Sequence, residues 1–399
     1  MSAPSPEHSI SQPSLLIISY PEHRGGIISS MDSIERSGKH IIVIHSPHSG
    51  RSEQLAQALT YLQQAGANIC DVLSIANLDG LPTQGALWHA AGIDSAVAAG
   101  GDGLVGGVIN HVADCGLALG ILPLGTGNDI ARSLGIPQEL RKAAKTIIQG
   151  HLRSIDIGVA QPAEQMPLHK ENSPSPVAHA ALSPQAHGFF AHALTVGLNV
   201  QFARLATNVA TRQRFGRMTY PFAALEVLLN PHVLEIECTF DGLLLPERNQ
   251  PAFSTQGTII SEPVEMTCRV LQVAVINAPI FGGQWNLAIP GASINDRLLD
   301  IVIVEDVELG HLGAAFAHLF NRPQESNGTL PDAAHVAQHS PLLQQAELTG
   351  IPGVHHVQTR GITIKTSNDP QDVTLDGEIR GQTPTRVQMA KQRLQVIVP

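Results

Sequence analysis

Residues 98–134 read AAGGDGLVGGVINHVADCGLALGILPLGTGNDIARSL, placing two glycine-rich turns one helix and one strand apart. The small apolar run Ser95 to Ala99 before the first turn reads as a buried parallel strand. After the turn, Leu104, Val105, Val108, Ile109 and Val112 recur on one face of a helix. A strand, a tight turn and a helix in that order aim backbone N–H groups and the positive helix end at one point, a natural seat for phosphate. The second turn, Gly125-Thr126-Gly127-Asn128-Asp129, follows a predicted strand at Leu117 to Leu124. It repeats the arrangement with a hydroxyl, an amide and a carboxylate beside the glycines.

Working outward, Ile41 to Ile44 is a β-branched run that ends in the polar turn Ser46-Pro47-His48-Ser49-Gly50-Arg51. Leu55, Leu59 and Leu62 mark a helix stopped by Gly66; Ala67 to Leu73 reads as a second strand and Thr83 to Ala91 as another helix. Strand alternating with helix at this interval predicts a doubly wound, parallel α/β domain. Beyond a helix at Glu139 to Gln149, strands outnumber helices: 189–200, 233–240, 256–260, 270–277, 298–305, 361–366 and 371–375. That pattern predicts an antiparallel β-sandwich as the second domain. The expected organisation is a flexible leader over 1–38, the α/β domain over 39–153 and the sandwich over 154–390, with a tail, 391–399, free to return to the first domain. Ala-, Pro-, Ser-, Gln- and His-rich stretches near 161–188, 245–255 and 321–350 read as insertions.

The formal charge of −10 argues against a nucleic-acid protein, because binding a phosphate backbone needs clustered Lys and Arg. Cys70, Cys115, Cys238 and Cys268 are isolated, with no C-x-x-C pair, and are expected to be reduced, small buried side chains in a cytoplasmic protein. The first residues lack the basic start and apolar core of a signal peptide, and no apolar run approaches the ~18 residues that span a bilayer. Membrane contact is therefore expected to be transient and peripheral.

Gly101 to Gly106 fits G-x-G-x-x-G, but the Asp102 carboxylate would face the pyrophosphate that such a turn holds. The acid expected about 20 residues on falls instead, as Asp129, inside a second glycine turn. Glycines used only for tight turns would explain either loop alone, but not both with Asp102, Thr126, Asn128 and Asp129. No G-x-x-x-x-G-K-[ST] loop, H-R-D loop or D-F-G is present.

Gly100-Gly101-Asp102-Gly103 together with Pro123 to Arg132 (PLGTGNDIAR) resembles the signature of the diacylglycerol kinase catalytic-domain family, which includes bacterial lipid kinases, sphingosine kinases and ceramide kinase. Ser46 to Gly50 is similar to that family's N-P-x-S-G turn, 155–158 to its domain junction, and 375–378 (LDGE) to its late D-G-E motif. Arg214, Gly216 and Tyr220, and Asn277 to Gly283, match further family positions. The resemblance covers about residues 40 to 399 less the insertions. It implies ATP and Mg²⁺ bound between the domains and a lipid hydroxyl as acceptor. By it, Gly100, Gly101 and Gly103 surround the phosphates. Ser46, Ser49, Gly50, Gly125, Thr126, Gly127, Asn128 and Asp129 complete the nucleotide site. Asp102, Asp376 and Glu378 supply catalysis and, for Asp102 and Glu378, metal binding. A further metal is implied at D-G-x-L-D, matched by Asp296-Arg297-Leu298-Leu299-Asp300 with Arg in place of Gly. Ser46 for Asn, Arg51 for Lys and Leu104 for Thr or Ser are other departures, the last leaning toward a sphingoid-type acceptor. An NAD kinase-like enzyme for a soluble acceptor, or a non-catalytic nucleotide- or lipid-binding protein, are the competing readings; a homodimer is compatible with all three. His335 and His339 have the i, i+4 spacing of a helical zinc pair, and His311 and His318 fall on a predicted helix with Leu312, Phe316 and Leu319.

Overall fold

The computed structural model describes residues 38–46, 52–78, 84–163, 188–208, 223, 226–227, 230–246, 257–281, 287–289, 291–306 and 353–399. Strands β1 (Lys39–His45), β2 (Ala67–Ser74), β3 (Ser95–Gly100) and β4 (Ala118–Pro123) pair in parallel in the order β2-β1-β3-β4. Every residue of β3 and β4 is buried, as expected of strands covered on both faces. Helices α1 (Ser52–Gln64), α2 (Gly85–Ala90) and α3 (Asp102–Val112) make the crossovers, followed by α4 (Asp129–Ser133) and α5 (Leu140–Gln149). The next strand, β5 (His151–Ile155), lies at the sheet's far edge and runs antiparallel to the last strand of the chain.

The second layer system comprises β6 (Gly158–Pro162), β7 (Gly188–Phe190), β8 (Ala193–Gly197), α6 (Leu198–Thr207), β9 (Leu234–Pro246), β10 (Gly257–Ile260), β11 (Val264–Ile276), β12 (Ile280–Phe281), β13 (Leu287–Ala288), β14 (Leu299–Glu305), β15 (Val354–Thr366), β16 (Asp372–Leu375), β17 (Glu378–Gln382) and β18 (Thr385–Met389). The long strands β11 and β15 belong to two layers at once. Their inner halves flank β14, while their outer halves flank β9, so one antiparallel sheet folds over on itself. Between the layers lie Phe190, Leu194, Val196, Ile236, Phe240, Val273, Val275, Ile301, Ile303, Ile362 and Ile364, a single apolar core. The final strand, β19 (Leu394–Val398), leaves this sandwich and inserts between β4 and β5 of the first sheet, parallel to β4.

The chain therefore crosses between the sheets twice, and Asp156 ties the crossings together. Its fully buried carboxylate accepts Arg393 Nε (2.8 Å), the Arg297 backbone N–H (2.7 Å) and Arg297 Nη1 (3.3 Å). Asn277 Nδ2 donates to the carbonyls of Asp156 (2.9 Å) and Ala191 (2.8 Å). The two cores are thus held by buried, paired polar groups as well as by packing.

Several local expectations are corrected. The stretch 189–200 is not one strand: it breaks at Ala191–His192, and Gly197, at φ 111°, turns the chain into α6. Gln161 and Pro162 belong to β6, and Leu245 and Pro246 to β9, rather than to insertions. Cys70 is exposed, whereas Cys238 is buried; all four cysteines are free. Among the described residues no helix is long and apolar enough to cross a membrane. His311, His318, His335, His339 and the 321–350 stretch lie outside the described residues.

Candidate active site

The two glycine turns meet backbone to backbone. A Cβ on Gly101 would sit 3.1 Å from Gly125 Cα, and one on Gly125 would overlap Gly101 and lie 2.7 Å from Asn128 Oδ1. The Leu124 N–H donates to the Gly100 carbonyl (3.0 Å), locking the ends of β3 and β4 in step. Asn128 takes the left-handed conformation (φ 57°), which a short amide tolerates better than most side chains. Its Oδ1 accepts the Gly125 N–H (2.9 Å), and its Nδ2 donates to the Gly125 carbonyl (3.0 Å) and to Gln138 Oε1 (3.1 Å). Both amide hydrogens are spent. Asn128 is thus the clasp of the second turn.

Asp102 opens α3, and its Oδ1 accepts the Ile130 N–H (2.9 Å) at the start of α4. The other oxygen, Oδ2, lies 3.2 Å from the point a Gly127 Cβ would occupy, so it faces space that glycine leaves open. Arg132 Nε donates to the Gly127 carbonyl (3.0 Å), fixing the turn from below. Thr126 is exposed beside these groups, whereas Asp129 is buried as the first residue of α4. Ser46 follows β1 and is half-buried; Ser49 and Gly50 lie outside the described residues.

The D-G-E motif joins β16 to β17 in a two-residue hairpin, with φ 49° at Asp376 and 87° at Gly377. Positive φ at both positions is the type I′ signature, which Asp-Gly suits. The buried Asp376 carboxylate accepts three backbone donors: His192 N–H (2.9 Å) and Ala193 N–H (3.0 Å) on Oδ1, and Ala191 N–H (3.1 Å) on Oδ2. Burial pushes its carboxyl above the ordinary range, against the opposing pull of His192 and of the three donors.

This hairpin seats on a strip of glycines along α3. A Cβ on Gly106 would lie 2.7 Å from Asp376 Oδ2 and 2.9 Å from Asp376 Cβ; one on Gly103 would lie 3.0 Å from Glu378 Oε1. Residues three and four apart share a helix face, so Gly103, Gly106 and Gly107 form one bare track. The structure thereby brings Glu378 and Asp376 from the sandwich onto the first two turns of the helix that begins with Asp102. Asn110, one turn further, clamps the opposite edge strand: its Oδ1 accepts the Phe189 N–H (2.8 Å) and its Nδ2 donates to the Phe189 carbonyl (3.1 Å).

Among the described residues no three His, Cys, Asp or Glu side chains converge to hold a metal ion. Asp102 and Glu378 nonetheless fit a magnesium site that borrows phosphate oxygens and water, since Mg²⁺ in kinases uses one or two carboxylates. Their oxygens Oδ2 and Oε1 both face glycine-lined space. The Asp296 segment is built differently. Asp296 Oδ1 accepts the Leu298 N–H (3.0 Å) and its Oδ2 is buried without a partner; burial, with Asp300 and Asp156 nearby, pushes the carboxyl up to about 6. Arg297, at φ 66°, sends its guanidinium to Asp156. Asp300 Oδ1 is held by His356 Nε2 (2.7 Å) and Gln358 Nε2 (2.9 Å), while its Oδ2, like that of Asp296, is buried without a partner. Arg297, which stands in place of the motif's glycine, pairs with Asp156 rather than with Asp296 or Asp300.

Sequence reasoning missed Asn110, His192 and the Gly106–Gly107 pair. His192 stacks on Phe281 (ring centroids 4.1 Å apart), and its Nε2 lies 2.9 Å from the Ile280 carbonyl, beside Asp376. The signal for Asn110 was available: a lone amide on the apolar face of a buried helix needs partners. Arg214, Gly216, Tyr220, Gly282 and Gly283 lie outside the described residues.

Comparison with known proteins adds family to geometry. The profile described as diacylglycerol kinase catalytic domain matches residues 40–160, and that described as YegS C-terminal NAD kinase beta sandwich-like domain matches residues 193–322. A protein named diacylglycerol kinase from Bacillus subtilis (strain 168) is 26% identical over 376 residues, covering 90% of this chain and 97% of that protein. One of the same name from Staphylococcus saprophyticus is 24% identical over 366 residues, covering 90% and 96%. The crystal structure of a diacylglycerol kinase from Bacillus anthracis (strain Sterne) superposes with a TM-score of 0.53 at 19% identity, covering 91% of this chain and 98% of that one. Another from that organism gives 0.56 at 20%, covering 90% and 98%. These structures share the fold of an α/β domain followed by an antiparallel sandwich.

Proposed function

Since the chain belongs to the diacylglycerol kinase catalytic-domain family, we propose that it transfers the γ-phosphate of ATP to a lipid hydroxyl in a cleft between its two domains. The observation that carries the reading is the docking of the Asp376–Glu378 hairpin on the glycine track of α3, beside Asp102. Phosphoryl transfer asks a protein chiefly for position and charge neutralisation, and this joint supplies both. Backbone N–H groups of 100–103 at the start of the 11-residue helix α3 face the phosphates. Gly125 and Gly127 let the second turn approach, Asn128 holds its shape, and exposed Thr126 meets the nucleotide. Asp102 and Glu378 hold Mg²⁺, which would offset charge on the transferring phosphoryl oxygens. One of Asp102, Asp376 and Glu378 takes the proton of the acceptor hydroxyl, and three backbone donors fix the direction of the Asp376 carboxylate.

The family's curated members named diacylglycerol kinase support a lipid acceptor; diacylglycerol and sphingoid bases are the first to try. Contact with the membrane surface is transient and peripheral in this reading, and the enzyme works in the cytoplasm. The sandwich profile's kinship with NAD kinase keeps a soluble acceptor as the second reading. Purified protein given radiolabelled ATP, Mg²⁺ and mixed micelles of candidate lipids should label one of them, and NAD should not compete. Label on NAD alone would replace the first reading by the second; tight ATP binding with label on neither would reduce the protein to a binder.

A further inference from the structure

One charged residue at the joint has no part in the scheme above. Arg380 lies two residues beyond Glu378, hence on the same face of β17. Its Nη2 (2.6 Å) and Nε (3.2 Å) both donate to a single carboxylate oxygen, Glu378 Oε2. The guanidinium also rests against the bare part of α3, with Nη2 3.7 Å from where a Gly107 Cβ would stand. The other oxygen, Glu378 Oε1, is the one that faces Gly103, next to Asp102.

The pairing is selective. Another carboxylate of the hairpin, Asp372, is taken by Arg204 of α6 through Nε (2.9 Å) and by Gln382 Nε2 (3.0 Å). Glu378 is half-exposed on a strand that, among the described residues, pairs with β16 alone, and one side of its side chain lies against Gly103 while the other is open. Its Oε1 lies over Gly103, the residue after Asp102. Left alone, the Glu378 side chain would swing toward water. A guanidinium fork closing on Oε2 removes that freedom.

We propose that Arg380 is a positioning residue, which decides that Oε1 rather than Oε2 of Glu378 is presented to Asp102 and so assembles the two-carboxylate seat. The inference rests on the reading of Asp102 and Glu378 as the magnesium pair. Groups that orient a metal ligand typically account for ~10–100-fold in affinity. Arg380→Ala therefore weakens divalent binding at least tenfold, and Arg380→Lys, which keeps the charge but not the fork, falls between Ala and wild type. Exposed ion pairs add little to stability, so both variants remain folded.

The test uses the full chain with Mn²⁺ as the probe. Free Mn²⁺ is followed by electron paramagnetic resonance in the presence of excess ADP, for wild type, Glu378→Gln, Arg380→Ala and Arg380→Lys, with thermal midpoints as a folding check. Weakening by Glu378→Gln and by Arg380→Ala, with partial recovery in Arg380→Lys, supports the proposal. Weakening by Glu378→Gln with Arg380→Ala unchanged overturns it while leaving the magnesium pair standing. Wild-type binding in both Glu378→Gln and Arg380→Ala overturns the magnesium pair and the inference with it.

Discussion

Adjacent glycines of α3 offer a matched pair of substitutions whose outcomes should differ. Gly106→Ala places a methyl 2.7 Å from Asp376 Oδ2 and 2.9 Å from Asp376 Cβ. Ordinary carbon contact needs ~3.5–4.0 Å, so the D-G-E hairpin must retreat by roughly 0.6–1 Å. Neither contact atom can swing aside: the carboxylate is held by three backbone donors and the Cβ is fixed by the turn. Misplacement on this scale costs about 10²-fold in rate, or about 2.7 kcal/mol of transition-state stabilisation. Gly107→Ala meets only Ile75 Cδ1 at 3.4 Å and Arg380 Nη2 at 3.7 Å, both ordinary contacts. Each substitution gains about 1 kcal/mol of helix propensity. For Gly107→Ala that gain should appear whole, with turnover unchanged. For Gly106→Ala an overlap of about 1–3 kcal/mol opposes it, leaving net stability near wild type or slightly below while turnover falls. Steady-state lipid phosphorylation and urea unfolding of the two variants measure both quantities. Wild-type turnover in Gly106→Ala, or equal damage in both variants, would refute the claim that the hairpin's seat on α3 sets the catalytic geometry.

Asn110→Ala should destabilise the chain, since it strands the Phe189 N–H and carbonyl at about 1–3 kcal/mol each; urea unfolding with an unchanged midpoint would show that water replaces the clamp. Gly125→Ala should force the two glycine turns apart and weaken nucleotide binding more than it weakens folding, which calorimetric titration with ATP compared with the thermal midpoint would show. Asp296→Asn should stabilise the chain at neutral pH. Burial first, then the Asp300 and Asp156 carboxylates, raise its folded pKa from 3.8 to about 6, so the folded state holds this proton more tightly than the unfolded state. Stability from this group is greatest below pH 4 and is lost as pH rises through about 6. In EDTA, the variant should match wild type near pH 4 and exceed it at pH 7; a loss at pH 7 would contradict the assignment.

The α/β domain was legible because its strands and helices announce themselves by period and by glycine punctuation. Residues 95–99 and 117–124 are uninterrupted apolar runs, and both prove fully buried in strands. The sandwich was legible as a class but not strand by strand. β15 carries His355, His356, Gln358 and Thr359 in buried positions, so its first half does not look apolar and was read only from Gly361 onward. The outer half of β11, VEMTCRV, alternates as a half-covered strand should, yet Glu265, Thr267 and Arg269 masked it. Leu198 to Val200 continued a strand pattern that Gly197 ended. At the site, the glycine turns and D-G-E were visible as motifs; the structure shows that a type I′ turn shapes the hairpin and buries Asp376. What the sequence could not show was which groups face each other across some 270 positions. Gly103, Gly106 and Gly107 acquire meaning only opposite Glu378, Asp376 and Arg380, and the Asn128 amide finds its partners in the turn's own backbone and in Gln138.

The central claim is that Asp102 of the first domain and Glu378 of the second act as one site. Lipid phosphorylation by Asp102→Asn, Glu378→Gln and the double variant tests it as a thermodynamic cycle, with unfolding curves confirming that all three are folded. Residues that act as a unit are non-additive, so each single variant should lose most of the activity and the double should lose little more. Losses that multiply in the double variant, or a single variant that retains wild-type transfer, would contradict a shared site.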